Sequence, residues 1–485
     1  MTAIAEPVLG RHGSFVSGAE VGGGAGRYRA VVNPADGSVV GEVADGTPET
    51  VDEAVRAATD QARVWRSTPP ARRSRILLDI AAAIRADAES IARAETLDNG
   101  KPLAQAASDV ESAARYFEFF GGYADKFNGD AIPLSQAYVS YTVHEPFGVV
   151  GHILPWNAPL QQAARGIAPC LAAGNAVVAK PSEETPLSTL RLARIAVECG
   201  LPAGLFNVVT GTGAEVGAAL CAHPDVRRLA FTGSVATGRA VAAAAADRVI
   251  PSTLELGGKS ANIVFADADL DEAVAGAVKA SMVNAGQICS AGTRLLVDER
   301  IAERFVELLT AALDRLSVGP GIDDPDIGAI TTRDQFEKVR RYIEIGEAEG
   351  ATAIRCGRAV ADRPAGGFYV DPVVFVQVRN DMRIAREEVF GPVLGVQTFR
   401  DEEEAVTLAN DSDYGLAAGV WTADLGTALR TARDLEVGQV FVNEYFAGGV
   451  ETPFGGVKRS GYGREKGLAA MYEYTQSKSV NIKIG

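Results

Sequence analysis

The chain has 485 residues, 47% hydrophobic and 22% charged, enough for two or three domains with their own cores. A net charge of −15 excludes binding to nucleic acid or an anionic membrane through bulk electrostatics. Five scattered cysteines, none in a CxxC pair, and four histidines without metal-pair spacing point to a reducing compartment and no metal site. The opening MTAIAEPVLGRHG lacks a basic stretch followed by an apolar core, and no apolar run reaches the length of a membrane span. A cytoplasmic protein without a membrane partner is expected.

Taken in order, residues 1–50 hold a glycine-rich patch, Glu20 to Gly26, and the segment NPADGSVVGEV, which read as short strands and turns. From Thr50 apolar residues recur at helical spacing. Pro69 and Pro70, then Gly100 and Pro102, divide this region into three predicted helices, over 50–66, 71–100 and 103–120. The stretch Asn128 to Val143 alternates like a hairpin, and Ser477 to Ile484 like an edge strand. Such strands can complete a sheet within or between subunits.

Between them runs an α/β rhythm. GVVGHILP, NAVVAK, LFNVVTG, VRRLAFTG and STLELGG are short β-rich runs separated by helical intervals, which predicts a Rossmann-like doubly wound parallel sheet. After Gly258 the rhythm restarts with NIVF, a helix from Leu270 to Val283, RLLVDE, a helix from Ile301 to Leu316, VVFVQV and VLGVQTF. It ends with helices over Glu402 to Asn410 and Leu425 to Leu435, which alternate with AAGVWT and QVFVN. A second α/β domain is expected.

The join of the two holds the chemistry. Glu255 precedes two glycines, and Cys289 follows after a helical interval, flanked by small and polar residues. A free thiol has a pKa near ~8.5, so a nearby base such as Glu255 is needed to make Cys289 a nucleophile. Alone this is thin, because a buried cysteine is most often a small apolar filler. Two glycine patterns compete for a phosphate: GTGAEVG (Gly211 to Gly217) and FTGSVATG, in which Gly233 and Gly238 frame Ser234. Only the second follows a strand and opens a helix, whose free amides suit a pyrophosphate. A tight strand-to-helix turn explains either equally well.

Eight ordered motifs run nearly end to end: PWNAP (Pro155 to Pro159), AKPSEETP (Ala179 to Pro186), FTGS, LELGGKS, GQICSAGTR, EEVFGPV (Glu387 to Val393), NDSDYGL (Asn410 to Leu416) and PFGGVKRSGYGREKG (Pro453 to Gly467). With these the chain resembles the NAD(P)-dependent aldehyde dehydrogenase superfamily, of the hydrolytic, non-phosphorylating type. The resemblance implies that Cys289 attacks the aldehyde and that Asn157, with the Cys289 amide, stabilises the oxyanion. It implies that Glu255 activates water against the thioester. It places Trp156, Lys180, Glu183, Gly233, Ser234, Leu256, Glu388 and Phe390 at the cofactor. Glu183 accepts from the ribose hydroxyls and repels a 2′-phosphate, so NAD is expected over NADP.

Departures from the pattern bear on substrate. Ala158 stands where the family has phenylalanine, and Gly448 where many members have an aromatic, which widens the aldehyde tunnel; Gln162 also belongs to the expected pocket. Arg165 occupies a position where semialdehyde enzymes grip a distal carboxylate, whereas Val283 replaces their second arginine. Glu444 and Glu451 are the acids that could instead neutralise Arg165 in a structural ion pair. Gly166 replaces a lysine of many relatives, although its usual acidic partner survives as Glu465. A bulky, aromatic or acidic aldehyde is the expected substrate. The competing readings are a coenzyme A-acylating enzyme, against which the intact Glu255 counts, and a cysteine hydrolase without redox chemistry. A non-catalytic derivative would be marked by loss of Cys289 or Glu255.

The resemblance further implies an NAD-binding domain over 1–125 and 146–257 and a catalytic domain over 258–465. An oligomerisation arm over 126–145 and 466–485 would complete a homodimer or homotetramer.

Overall fold

A computed structural model of the chain describes residues 9–484, so the reading of the N-terminus as free of a signal lies largely outside the described residues. The predicted doubly wound sheet is present with eight strands. Its parallel heart runs Ser252–Glu255, Val226–Thr232, Val149–Ile153, Ala176–Lys180, Phe206–Val208. The strands at its centre are buried on both faces, which is why they read as continuous apolar runs rather than as alternation. From Val149–Ile153 the chain steps outward to Phe206–Val208, then returns to lay Val226–Thr232 on the opposite side. That reversal opens a crevice beyond the carboxyl ends of the strands, where ligands bind in this architecture.

Four helices, not three, precede this sheet: Pro48–Ser67, Pro70–Ala86, Ala88–Asn99 and Leu103–Tyr123. The run predicted as one helix over 71–100 breaks at Asp87, which leaves helical geometry at φ −104° and ψ 14°. Its carboxylate instead accepts from Arg191 Nε at 2.6 Å, a tertiary contact that periodicity cannot report. The GTGAEVG pattern forms a wide turn over Gly213–Gly217, capped by the Thr212 hydroxyl.

A second, seven-stranded sheet takes its strands from Ala261–Val264 onward, with Thr352–Arg355 at one edge and Gln439–Val442 at the other. It also carries a helix the sequence reading passed over, Arg333–Ala348, whose first turn is capped by Thr332. The chain then returns to the first sheet: Gly461–Tyr462 pairs antiparallel with Leu254 and Glu255. Of the two pairings left open, within or between subunits, the structure has the first, Thr475–Lys483 lying antiparallel along the whole of Tyr138–Pro146. Among the described residues no helix is long and apolar enough to cross a membrane.

Candidate active site

The crevice at the strand ends collects the motifs. Pro155, Trp156 and Asn157 follow the Val149–Ile153 strand, Gly233 and Ser234 follow Val226–Thr232, and Glu255 ends Ser252–Glu255. Ser234 caps the helix Val235–Asp247 by accepting from the Thr237 amide at 3.2 Å, which fixes the amide-rich turn at the crevice mouth. Gly233 and Ser234 line the crevice, and no residue of Gly211 to Gly217 does.

Two cavities meet at Cys289. The first, of about 170 Å³, is lined by Trp156, Gly233, Ser234, Leu256, Glu388 and Phe390, together with Glu255. The second, of about 720 Å³, opens past Ala158, Arg165 and Gly448. Asn157, Gln162 and Cys289 border both. A reacting carbon at the sulfur therefore faces a narrow crevice on one side and a roomy vestibule on the other.

Cys289 follows a strained, pinned loop. Asn284, Ala285 and Gly286 all have positive φ, at 52°, 52° and 74°. Non-glycine residues hold such angles only when their surroundings impose them. Here the Asn284 side chain donates to the Asn157 carbonyl at 2.7 Å, and its amide donates to Gln105 Oε1 at 2.9 Å. Asn157 Nδ2 in turn donates to the Gln287 carbonyl at 2.8 Å, which orients the proposed oxyanion donor beside the sulfur and leaves its second N–H for a ligand. The paired glycines of LELGGKS exist for close approach. A β-carbon at 257 would collide with the Glu388 carboxylate, and one at 258 with the Cys289 carbonyl oxygen. The Gly258 amide donates to Glu388 Oε1 at 3.0 Å.

The electrostatics describe a resting enzyme. Burial pushes the Cys289 thiol up to about 12; Arg165 opposes that rise, and Glu255 and Glu388 add to it. Glu255 is buried with neither carboxylate oxygen hydrogen-bonded, and burial, reinforced by Glu465, holds its pKa well above the usual range while Arg165 pulls it down. Burial thus disfavours the ionised form of both groups, and Arg165 is the cation that favours ionising either.

In the narrow crevice the Phe390 ring meets Trp156 edge-on, centroids 5.3 Å apart. Lys180 and Glu183 lie beyond the crevice lining, at the end of the neighbouring strand, paired at 2.6 Å. Burial would raise the Glu183 carboxyl, but Lys180 holds it below its ordinary value. Gln335 and Lys338 also line the crevice, and Gln335 Nε2 donates to the Val389 and Phe390 carbonyls at 2.8 Å each. They were missed because their helix was; Thr332 ahead of an amphipathic run was the available signal.

In the vestibule one expectation is corrected. Arg165 is ion-paired, but with Glu465 rather than Glu444 or Glu451. Glu451 pairs with Arg115 at 2.8 Å, and Glu444 lies 3.8 Å from Lys279. The pairing has a packing cause: a β-carbon at 166 would press on the His152 ring at 2.7 Å, so residue 166 is glycine and the cation for Glu465 comes from 165. The Arg165 guanidinium also lies 4.8 Å from the centre of the Phe454 ring, and its Nη2 has no hydrogen-bond partner.

Comparison with known proteins finds matches over nearly the whole chain. The aldehyde dehydrogenase family profile matches residues 22–480. The chain is 43% identical over 471 residues to hydroxyisobutyraldehyde dehydrogenase of Mycolicibacterium austroafricanum, covering 97% of this chain and 93% of that one. It is 46% identical over 473 residues to betaine aldehyde dehydrogenase of Cereibacter sphaeroides, covering 97% of each. A crystal structure of betaine aldehyde dehydrogenase from Staphylococcus aureus in complex with NAD+ superposes with a TM-score of 0.95 at 38% identity, covering 98% of this chain and 95% of that one.

Proposed function

This chain belongs to the aldehyde dehydrogenase family and is an oxidoreductase of aldehydes, and from that premise we propose that it oxidises a bulky, aromatic or acidic aldehyde to its acid with NAD and water. The observation that carries the reading is the meeting of two unlike cavities at Cys289, with Glu255 and Asn157 beside it. The crevice fits a dinucleotide: capped helix amides at Ser234, a carboxylate at Glu388 with one oxygen held by Gly258, and the Trp156–Phe390 corner. When bound, NAD supplies the hydride acceptor.

The chain's own residues do the rest. Once its proton has passed to solvent, the Cys289 thiolate adds to the aldehyde carbon, and the Asn157 amide with the Cys289 N–H holds the oxyanion, a pair of donors of which each is worth ~2.7–4 kcal/mol in such sites. Loss of hydride leaves a thioester on Cys289. Glu255 then takes a proton from water, whose oxygen adds to the acyl carbon and expels the thiolate. Glu183 favours NAD over NADP, because a 2′-phosphate would sit against its carboxylate; Lys180 softens that preference.

The width of the vestibule beside Ala158 and Gly448 supports a bulky substrate. Exposed Leu134, Val139 and Tyr141 beside Ile482 and Ile484 support an oligomerisation arm over 126–145 and 466–485, completing a homodimer or homotetramer. Division into an NAD-binding part (1–125 and 146–257) and a catalytic part (258–465), in a cytoplasmic enzyme, completes the proposal. The test is NADH formation across aliphatic, aromatic and ω-carboxylated aldehydes, with NADP in parallel and no added thiol. NADH from aldehydes without coenzyme A supports the reading; strict coenzyme A dependence, or no turnover despite NAD binding, overturns it.

A further inference from the structure

The vestibule wall is rich in charge, and nearly all of it is spoken for. Asp109, Glu111, Arg115, Lys279, Glu451 and Arg165 each meet an oppositely charged partner within 4 Å. Among the described residues Lys466 alone of the vestibule's charged side chains has no such partner. Its ammonium sits 5.9 Å from the centre of the Phe454 ring, whose other neighbour is the Arg165 guanidinium at 4.8 Å. Two cations thus border one aromatic ring in the wall of the substrate cavity, and the Arg165 Nη2 is itself buried without a hydrogen-bond partner.

The backbone beneath Lys466 is equally unusual. It holds φ 62° and ψ 168°, a region that glycine occupies and other residues enter at a cost of about 1–3 kcal/mol. The conformation is imposed on both sides. Phe454 and Glu465 exchange two backbone hydrogen bonds of 2.7 Å, and the Gly467 amide donates to the Val450 carbonyl at 2.7 Å. A glycine would satisfy this geometry without strain, yet the position carries a long cationic side chain.

We propose that Lys466 is a specificity-determining residue that selects aldehydes carrying an anionic distal group, a carboxylate above all, and repels cationic ones. This rests on the aldehyde-oxidising reading and narrows its substrate class. A carboxylate entering the vestibule supplies the counter-ion that Lys466 lacks, in surroundings dry enough to strengthen the pair. A trimethylammonium group would instead approach an uncompensated ammonium with a guanidinium beside it. The substrate printed in the name of the betaine aldehyde relatives is therefore predicted to be a poor one here.

The experiment compares kcat and KM for pentanal, its ω-carboxylate glutarate semialdehyde, and betaine aldehyde. The enzymes are the wild type, Lys466→Gly, Lys466→Arg and Lys466→Glu. Lys466→Gly relieves the backbone strain, so it folds at least as well, which thermal melting verifies. The inference expects the carboxylate-to-neutral ratio of kcat/KM to fall by ~10-fold in Lys466→Gly, through KM, as befits loss of one charge-assisted contact. It expects Lys466→Arg to keep the ratio within about threefold and Lys466→Glu to turn preference toward betaine aldehyde. An unchanged ratio in Lys466→Gly overturns the inference, as does a wild type that prefers pentanal or betaine aldehyde. No NADH from any of the three would instead strike at the aldehyde-oxidising reading itself.

Discussion

The two cavities that share Cys289 are built by opposite means. The narrow crevice is made by backbone: the Gly258 amide on Glu388, the carbonyls of Val389 and Phe390 on Gln335, and a capped helix start at Ser234. Its glycines leave no room for a β-carbon. The vestibule is made by side chains, with ion pairs reaching in from the helix Leu103–Tyr123, the helix Pro159–Ala172 and the segment 446–466. Backbone contacts tolerate little change in any residue around them, because an unmet amide or a collision costs more than a side chain can relax. Paired side chains can be exchanged two at a time. The crevice is accordingly the part least free to change, and the vestibule the part that can absorb an exchange of partners.

The largest expected effect lies where the two regions meet. Glu255→Gln keeps the shape but removes the base proposed to activate water, so steady-state turnover is expected to fall by ~10²–10⁴-fold. Rapid mixing should still show a first burst of NADH, close to one per active site, because the thioester forms and is not hydrolysed. Loss of the burst along with turnover would place Glu255 in thiol activation instead. On the crevice side Gly257→Ala drives a methyl against the Glu388 carboxylate. Its expected signature is a KM for NAD raised ~10–100-fold, with aldehyde discrimination kept, the range associated with an atomic-scale misplacement. If aldehyde discrimination shifts and NAD affinity does not, the division of labour between the cavities is wrong.

The same contrast explains what the sequence made legible. Crevice residues arrive in contiguous motifs, because a strand end and the turn after it carry both fold and function. PWNAP, FTGS, LELGGKS and EEVFGPV could each be placed before any coordinates. The doubly wound sheet was legible for a related reason, its buried strands being short apolar runs between helices. Vestibule residues come singly from distant segments, so Arg165 could be suspected while its partner could not. Three acids were in view, Glu444, Glu451 and Glu465, and only packing of His152 against residue 166 shows why the last one wins. The break at Asp87 was hidden likewise, since Arg191, which pins it, lies more than a hundred residues away. Lys466 lies inside the motif PFGGVKRSGYGREKG, yet nothing in the sequence singled it out, because its strain exists only in φ and ψ.

The smallest effect tests whether the vestibule reaches back into the chemistry. Arg165 is the cation that lowers both the Cys289 and the Glu255 pKa, each of which burial has raised. The reacting forms are the ionised ones, so kcat/KM rises with pH as these acids lose their protons. Removing the guanidinium takes away what favours ionisation, and the rising limb must move to higher pH. Arg165→Gln also leaves Glu465 as an uncompensated buried carboxylate, which raises Glu255 further in the same direction. A displacement of about one pH unit is expected for loss of a neighbouring opposite charge, up to ~10-fold in rate at a fixed pH on that limb. In Arg165→Gln combined with Glu465→Gln the like charge is gone as well, and the limb should return part of the way. Limbs that coincide in wild type and Arg165→Gln, read with a neutral aldehyde, would confine Arg165 to packing on Phe454 and separate the two cavities electrostatically.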